Sequence, residues 1–169
     1  MKPARLFAPL VVLLSLAGCS MAPAGPAETT PTPASAPVEP WLSVIAEQRA
    51  SLDEWHDDWE DATCSALAID AFDCNIMLTT GALKAKTAHI TVGGVSDPDS
   101  NTYLGDVPEA IEAVYLETVA ATAAADEAGD AWSDSGCSSS DGACVGLAFD
   151  LERALDDVRA KFTRWEPYF

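Results

Sequence analysis

Positive charge is scarce in this 169-residue chain: nine lysines and arginines stand against 27 aspartates and glutamates, for a formal net charge of −18. A surface so poor in basic side chains repels a phosphate backbone, which excludes nucleic acid as a partner, and its long-range field favours cations or basic partners. Histidine is almost missing, with only His56 and His89 present, so a catalytic triad would have to take its base from one of them. No G-x-S-x-G or H-E-x-x-H motif occurs, and Gly93-Gly94 is too short to cradle a phosphate. Carboxylate pairs are everywhere in so acidic a chain, and none stands out as a glycosidase-like pair. No enzyme and no cofactor is expected. Strand signals are missing too: sustained alternation is absent, and β-branched residues cluster only at Ile90-Thr91-Val92.

At the N-terminus, Lys2 and Arg5 precede an uncharged apolar run from Leu6 to Ala17. That run falls short of the ~20 apolar residues a bilayer core requires, so it reads as a targeting segment and not as a span. It ends in Leu16-Ala17-Gly18-Cys19, which resembles the lipobox of bacterial lipoproteins, where small residues precede the cysteine that is lipidated. The resemblance covers the first 20 residues and carries no information on the fold downstream. It implies a signal peptide over 1–18, cleavage between Gly18 and Cys19, and a diacylglyceryl group on the Cys19 sulfur. It also implies a lipid-anchored protein on the extracytoplasmic face of a cell or outer membrane. Two or more acyl chains hold a protein stably, since each buried methylene contributes about 0.8 kcal/mol. Without Lys2 and Arg5, seven basic residues face 27 acidic ones, and the mature chain carries a formal charge of −20.

Residues 19–40 comprise the lipidated cysteine and a Pro/Ala/Thr-rich stretch without large apolar side chains. Its prolines favour extended polyproline II, so it reads as a tether able to reach on the order of 60 Å from the lipid surface. A folded domain is expected over 41–169.

Beyond Pro40 the apolar positions recur at helical spacing. The first helix is expected from Pro40, a favoured early-helix residue, with the stripe Leu42, Ile45, Arg49, Leu52, Trp55, Trp59 and Ala62. A second, from about Asp73 to Ile90, shows Ile76, Thr80, Leu83, Thr87 and Ile90, interrupted by Gly81. A third is announced by Asp106-Val107-Pro108-Glu109, a capping aspartate followed by proline and glutamate in the first turn. Its stripe is Ile111, Val114, Thr118, Ala121, Ala125, Ala128 and Trp132. The fourth carries Ala148, Leu151, Leu155, Val158, Phe162 and Trp165, with Asp150–Arg153, Asp156–Arg159 and Asp157–Lys161 spaced to pair along its surface. Four amphipathic helices around a shared seam predict an all-α, up-down four-helix bundle.

With Cys19 assigned to the anchor, four cysteines remain for an exported domain: Cys64, Cys74, Cys137 and Cys144. In an up-down topology all four lie at one pole, opposite the entry of the tether. Short loops favour the pairs Cys64–Cys74 and Cys137–Cys144, while the crossed connectivities remain open. If Cys64 and Cys74 pair, the chain must turn between Ser65 and Asp73, because ten residues of helix rise about 15 Å and a disulfide tolerates roughly 7 Å between Cα atoms. Neither pair has zinc-knuckle spacing.

The densest polar cluster is Asp53–Asp61. On a helix Glu54, Asp57, Asp58 and Asp61 share one face, with His56 and Glu60 beside them. Such an oxygen-rich face with one imidazole is a candidate for a divalent cation; the competing reading is a solvated surface opposite Trp55 and Trp59. Asp97-Pro98-Asp99-Ser100-Asn101 is similar to the opening of an EF-hand loop. Thr102 then stands in place of the required glycine and Pro108 in place of the bidentate glutamate, and these residue types equally suit a turn between helices. His89, near the end of the second helix, suits the helix dipole. Two functions are consistent with these features. The first is a non-enzymatic lipoprotein that binds a protein or cell-envelope component. The alternative is an acidic surface receptor for divalent metal or polyamine.

Overall fold

The computed structural model describes residues 37–169; the expected signal segment, Cys19 and the expected tether up to Ala36 lie outside the described residues. The chain forms α1 (Glu39–Asp61), α2 (Phe72–Gly94), α3 (Glu112–Ser135) and α4 (Gly142–Thr163), followed by a short 3₁₀ turn at Glu166–Tyr168. Every regular element among the described residues is helical. Neighbours in sequence run antiparallel: α1 lies against α2 and α4, and α3 lies against the same two from the other side. The expected all-α four-helix bundle is the observed fold.

Pro40 sits in the first turn of α1, where its missing N–H has no carbonyl to lose. The buried seam of α1 is Trp41, Ile45, Gln48, Leu52, Trp55 and Trp59. It retains both tryptophans but rotates the expected stripe slightly: Leu42 and Arg49 move to the flank, and Ala62 lies beyond the helix end. Arg49 gains a reason to be there, since on the flank its guanidinium reaches carboxylates instead of entering the core.

In α2 the expected and observed faces are opposite. Ile76, Thr80, Leu83, Thr87 and Ile90 are exposed, and the buried face is Cys74, Leu78, Gly81, Ala82, Ala85, Ala88 and Val92. Side-chain volume explains the inversion. A Cβ on Gly81 would come within 2.9 Å of Leu155 and 3.0 Å of the Trp55 ring, so the large residues of α1 and α4 fill the space that small ones on α2 leave. The Trp55 indole N–H donates to the Met77 carbonyl at 2.8 Å, fixing the ring in that place. On the other side, a Cβ on Gly129 of α3 would lie 3.1 Å from the Ala82 Cα. The backbones of α2 and α3 are thus in near contact, and dispersion replaces side-chain interdigitation at this seam.

The start of α3 is a second correction. Pro108–Ile111 close a separate turn, with Ile111 N–H donating to the Pro108 carbonyl at 3.0 Å. The helix proper begins at Glu112 with no side-chain cap, so Asp106 does not act as one. The small-residue stripe of α3 nevertheless packs inward as expected, apart from Ala128, which is half-buried beside the fully buried Gly129. At its far end Gly136 takes the left-handed conformation (φ +63°) that closes a helix. All six expected positions of α4 are buried, and Asp141 caps its start, accepting from the N–H groups of Ala143 and Cys144. Of the surface pairs expected along α4, Arg159–Asp156 forms at 3.8 Å, whereas Lys161 turns to Glu117 on α3, which Arg164 also contacts.

Both favoured disulfides are present, Cys64–Cys74 with Cα atoms 5.4 Å apart and Cys137–Cys144 at 5.5 Å. They share one pole, where Asn75 donates to the Cys137 carbonyl at 3.0 Å and Ser140 N–H donates to Asp70 at 2.6 Å. Glu152 of α4 ties the first loop down, accepting from the Trp59 indole and the Ala66 N–H. Aromatic residues close the opposite pole. Trp41 meets Tyr115 edge-on at 5.1 Å, the Tyr115 hydroxyl donates to the Val92 carbonyl at 2.7 Å, and the Trp165 indole donates to Thr118 at 2.9 Å. Burial holds the Tyr115 hydroxyl above its ordinary pKa, so it stays a neutral donor.

Candidate interaction face

The acidic cluster of α1 does not converge on one point. His56 turns toward α4, with Nε2 3.1 Å from Glu60 and Nδ1 3.6 Å from Asp156. From there ion pairs run along the α1–α4 edge: Asp156 to Arg159, Arg159 to Asp53 at 3.0 Å, Asp53 to Arg49 at 3.5 Å, and Arg49 to Glu166 at 2.8 Å. The hydrogen bond to Glu166, with the charge of Asp53 added, raises the Arg49 pKa further. Glu54 faces the other way and meets Lys84 of α2 at 3.9 Å, while Asp57, Asp58 and Asp61 extend into solvent. Among the described residues no three His, Cys, Asp or Glu side chains are grouped as a metal site.

The Asp97 segment spends its polar groups on its own turn: the Asp97 carboxylate accepts from Asp99 N–H at 3.0 Å and its carbonyl from Ser100 N–H at 2.9 Å. His89 does not lie in the last turn of α2, which runs on to Gly94. It borders an open depression of about 520 Å³ shared with Ile90, Gly93, Gly94, Asp97 and Ser100.

The feature that periodicity alone misassigns is the outer side of α2. Phe72 is 76% exposed, Ile76 45%, Leu83 64% and Ile90 63%, and one helix turn separates each of the last three from a threonine on the same side. Those threonines are less polar than their formula suggests. The hydroxyls of Thr79, Thr80 and Thr87 each donate to a carbonyl four residues back, on Asn75, Ile76 and Leu83, so their protons are already used within the helix. The result is an uncharged, apolar ridge running about 27 Å from Phe72 to Ile90 at helical rise.

Charged groups bound this ridge on both sides. Toward α1, Lys84 contacts Ser51 at 2.9 Å as well as Glu54. Toward α3, Lys86 lies 3.0 Å from Asp130; that hydrogen bond, with the charges of Asp130, Asp126 and Asp134, raises its pKa. Between α2 and α3 a groove of about 400 Å³ brings Leu83, Thr80 and Ala82 beside Lys86 and Asp130. A signal for the ridge was present in the small residues Gly81, Ala82, Ala85 and Ala88, which form a rival inward stripe on the same helix.

No family model, no curated protein and no solved structure matches this chain.

Proposed function

We propose that the protein is a lipid-anchored, extracytoplasmic bacterial lipoprotein, a non-enzymatic module that binds a protein or cell-envelope component through the outer ridge of α2. The observation that carries this reading is the ridge itself. A surface helix ordinarily turns a polar face to water, and a contiguous exposed apolar face marks an interaction site. The lipobox-like Leu16–Cys19 supports membrane attachment through acyl chains on Cys19. No described helix is long and apolar enough to cross a membrane. A proline-rich tether and a cross-linked compact domain suit a binding surface held clear of the headgroups.

The test uses the full chain expressed in bacteria and extracted from the membrane in mild detergent. The mature polypeptide is expected to begin at an acylated Cys19 by intact mass and to run in a complex larger than the monomer. Leu83→Glu places a charge where nothing packs, so stability is expected to change by less than about 0.5 kcal/mol. The acyl mass should persist in this variant while the complex is lost. A wild-type chain that is monomeric in every envelope fraction would contradict the binding role, and an unacylated residue 19 would contradict the anchor.

A further inference from the structure

We infer that the occupant of the α2 ridge is a cationic amphipathic helix, an apolar stripe edged by lysine or arginine, lying along α2. This rests on the binding role proposed above and adds the chemistry of the partner.

The helical form of the partner follows from spacing. Ile76, Thr80, Leu83, Thr87 and Ile90 recur at alternating steps of four and three, the pattern by which one helix receives the side chains of another. All five are exposed, and no other helix of the bundle covers them. A helix seated there would meet Ile and Leu knobs separated by the smaller threonine side chains, and its own large side chains would fill the gaps.

The charge of the partner follows from the rims. On α1, Glu47, Glu54, Asp58 and Asp61 share the face of Ser51, which Lys84 touches, so this acidic row lies along one edge of the ridge. On α3, Asp126, Asp130 and Asp134 recur every four residues and all act on Lys86 at the other edge. Within α2 the only formal charges are Asp73, Lys84 and Lys86, and both lysines already meet carboxylates. With Glu54 and Asp130 taken by the lysines, a helix docked on the ridge still finds Glu47, Asp58 and Asp61 on one side and Asp134 on the other, all exposed and without a basic partner among the described residues, at the positions where flanking charges select partners in paired helices. Lysine or arginine there gains two rows of opposite charge; glutamate meets repulsion. A second copy of this chain would bring its own acidic rims into register with these, and the mature charge of −20 opposes that pairing at long range.

The experiment places the full mature lipoprotein in nanodiscs of zwitterionic phosphatidylcholine, with empty nanodiscs as the blank. The probes are labelled peptides of about five turns, ~18 residues at helical rise. Each has leucine at the seam positions and differs from the others only at the flanks or by one central proline. Fluorescence anisotropy is expected to show saturable binding of the lysine-flanked peptide, and about tenfold or greater weakening between roughly 50 and 300 mM salt as the Debye length shrinks. Leu83→Glu should weaken it by about 100-fold, as loss of a central apolar contact does. A second variant, Asp130→Asn with Asp134→Asn, both exposed, leaves the ridge intact and should weaken it by about three- to tenfold through the rim alone. The glutamate-flanked and proline-broken peptides should not bind.

Equal binding of both flank types, lysine-peptide binding indifferent to Leu83→Glu, or no binding at all would overturn the inference. So would a homodimer that Leu83→Glu dissolves. If these peptides fail while the membrane-extracted wild type still runs in a complex that Leu83→Glu disrupts, the partner chemistry is wrong and the binding role stands. If that complex is also missing, both fall.

Discussion

Removing both disulfides is expected to lower the unfolding free energy by about 5 kcal/mol, enough to bring a domain of ordinary stability to the edge of unfolding. The bridges join residues ten and seven apart in sequence, and chain entropy assigns loops of that size roughly 2.5–3 kcal/mol each. The two closed loops do not overlap in sequence, so their closure entropies sum. Each bridge closes one inter-helix loop, and the two loops hold each other through Asn75 to Cys137 and Ser140 to Asp70. At the other pole the Trp41–Tyr115 contact and the Trp165–Thr118 hydrogen bond join the helices without covalent help. Urea unfolding of Cys64→Ala/Cys74→Ala, of Cys137→Ala/Cys144→Ala and of the combined variant measures this. Each pair alone should lower stability by about half of the total, and the combined variant should be largely unfolded at 37 °C. A combined variant as stable as the wild type would show that packing alone holds the fold.

Gly129→Leu is expected to cost about 3 kcal/mol or more, at the upper end of overpacked cores. The Cβ added there meets the Ala82 Cα at 3.1 Å and its carbonyl oxygen at 3.2 Å. These are backbone atoms, so no side chain can swing aside and α2 must separate from α3 along its length. Gly93→Ala, in α2, supplies the contrast. Its Cβ would meet nothing within 4 Å, and replacing a helical glycine by alanine should stabilise by roughly 0.5–1 kcal/mol. Thermal melts of the two variants should therefore shift in opposite directions. A Gly129→Leu protein melting with the wild type would show that the α2–α3 backbones are not in contact.

The parts of this fold that were legible in the sequence are those where one stripe outweighs every other. α4 and the turn that follows it carry a single run of apolar side chains at steps of three and four, from Ala148 to Trp165, and all six are buried. Short loops between cysteines near helix ends favour the two observed disulfides without excluding the crossed pairings. α2 was misassigned because two faces compete there, one of Ile, Leu and Thr, the other of Gly and Ala. Hydrophobicity favours the first; volume decides for the second, because Trp55 and Leu155 already occupy the interior. That decision depends on residues dozens of positions away, which local periodicity does not contain. The sequence shows the acidic stretch of α1 as a run of carboxylates on a helix but does not show its partners. His56 meets Asp156 and Glu54 meets Lys84 only once α4 and α2 are in place. The ridge is the same phenomenon seen from outside: the stripe that looked like core is surface because a smaller-sided face packs better.

The most direct test of the proposed binding role of α2 is a photo-crosslinking residue placed at position 83 of the full chain and activated on intact cells. The matching probe at Asp157, exposed on α4, serves as the comparator. A discrete adduct from position 83, none from position 157, and loss of the adduct when Ile76→Glu is added is the expected result. Adducts of equal yield from both positions, or none from position 83, would show that the exposed ridge is not where this protein meets a partner.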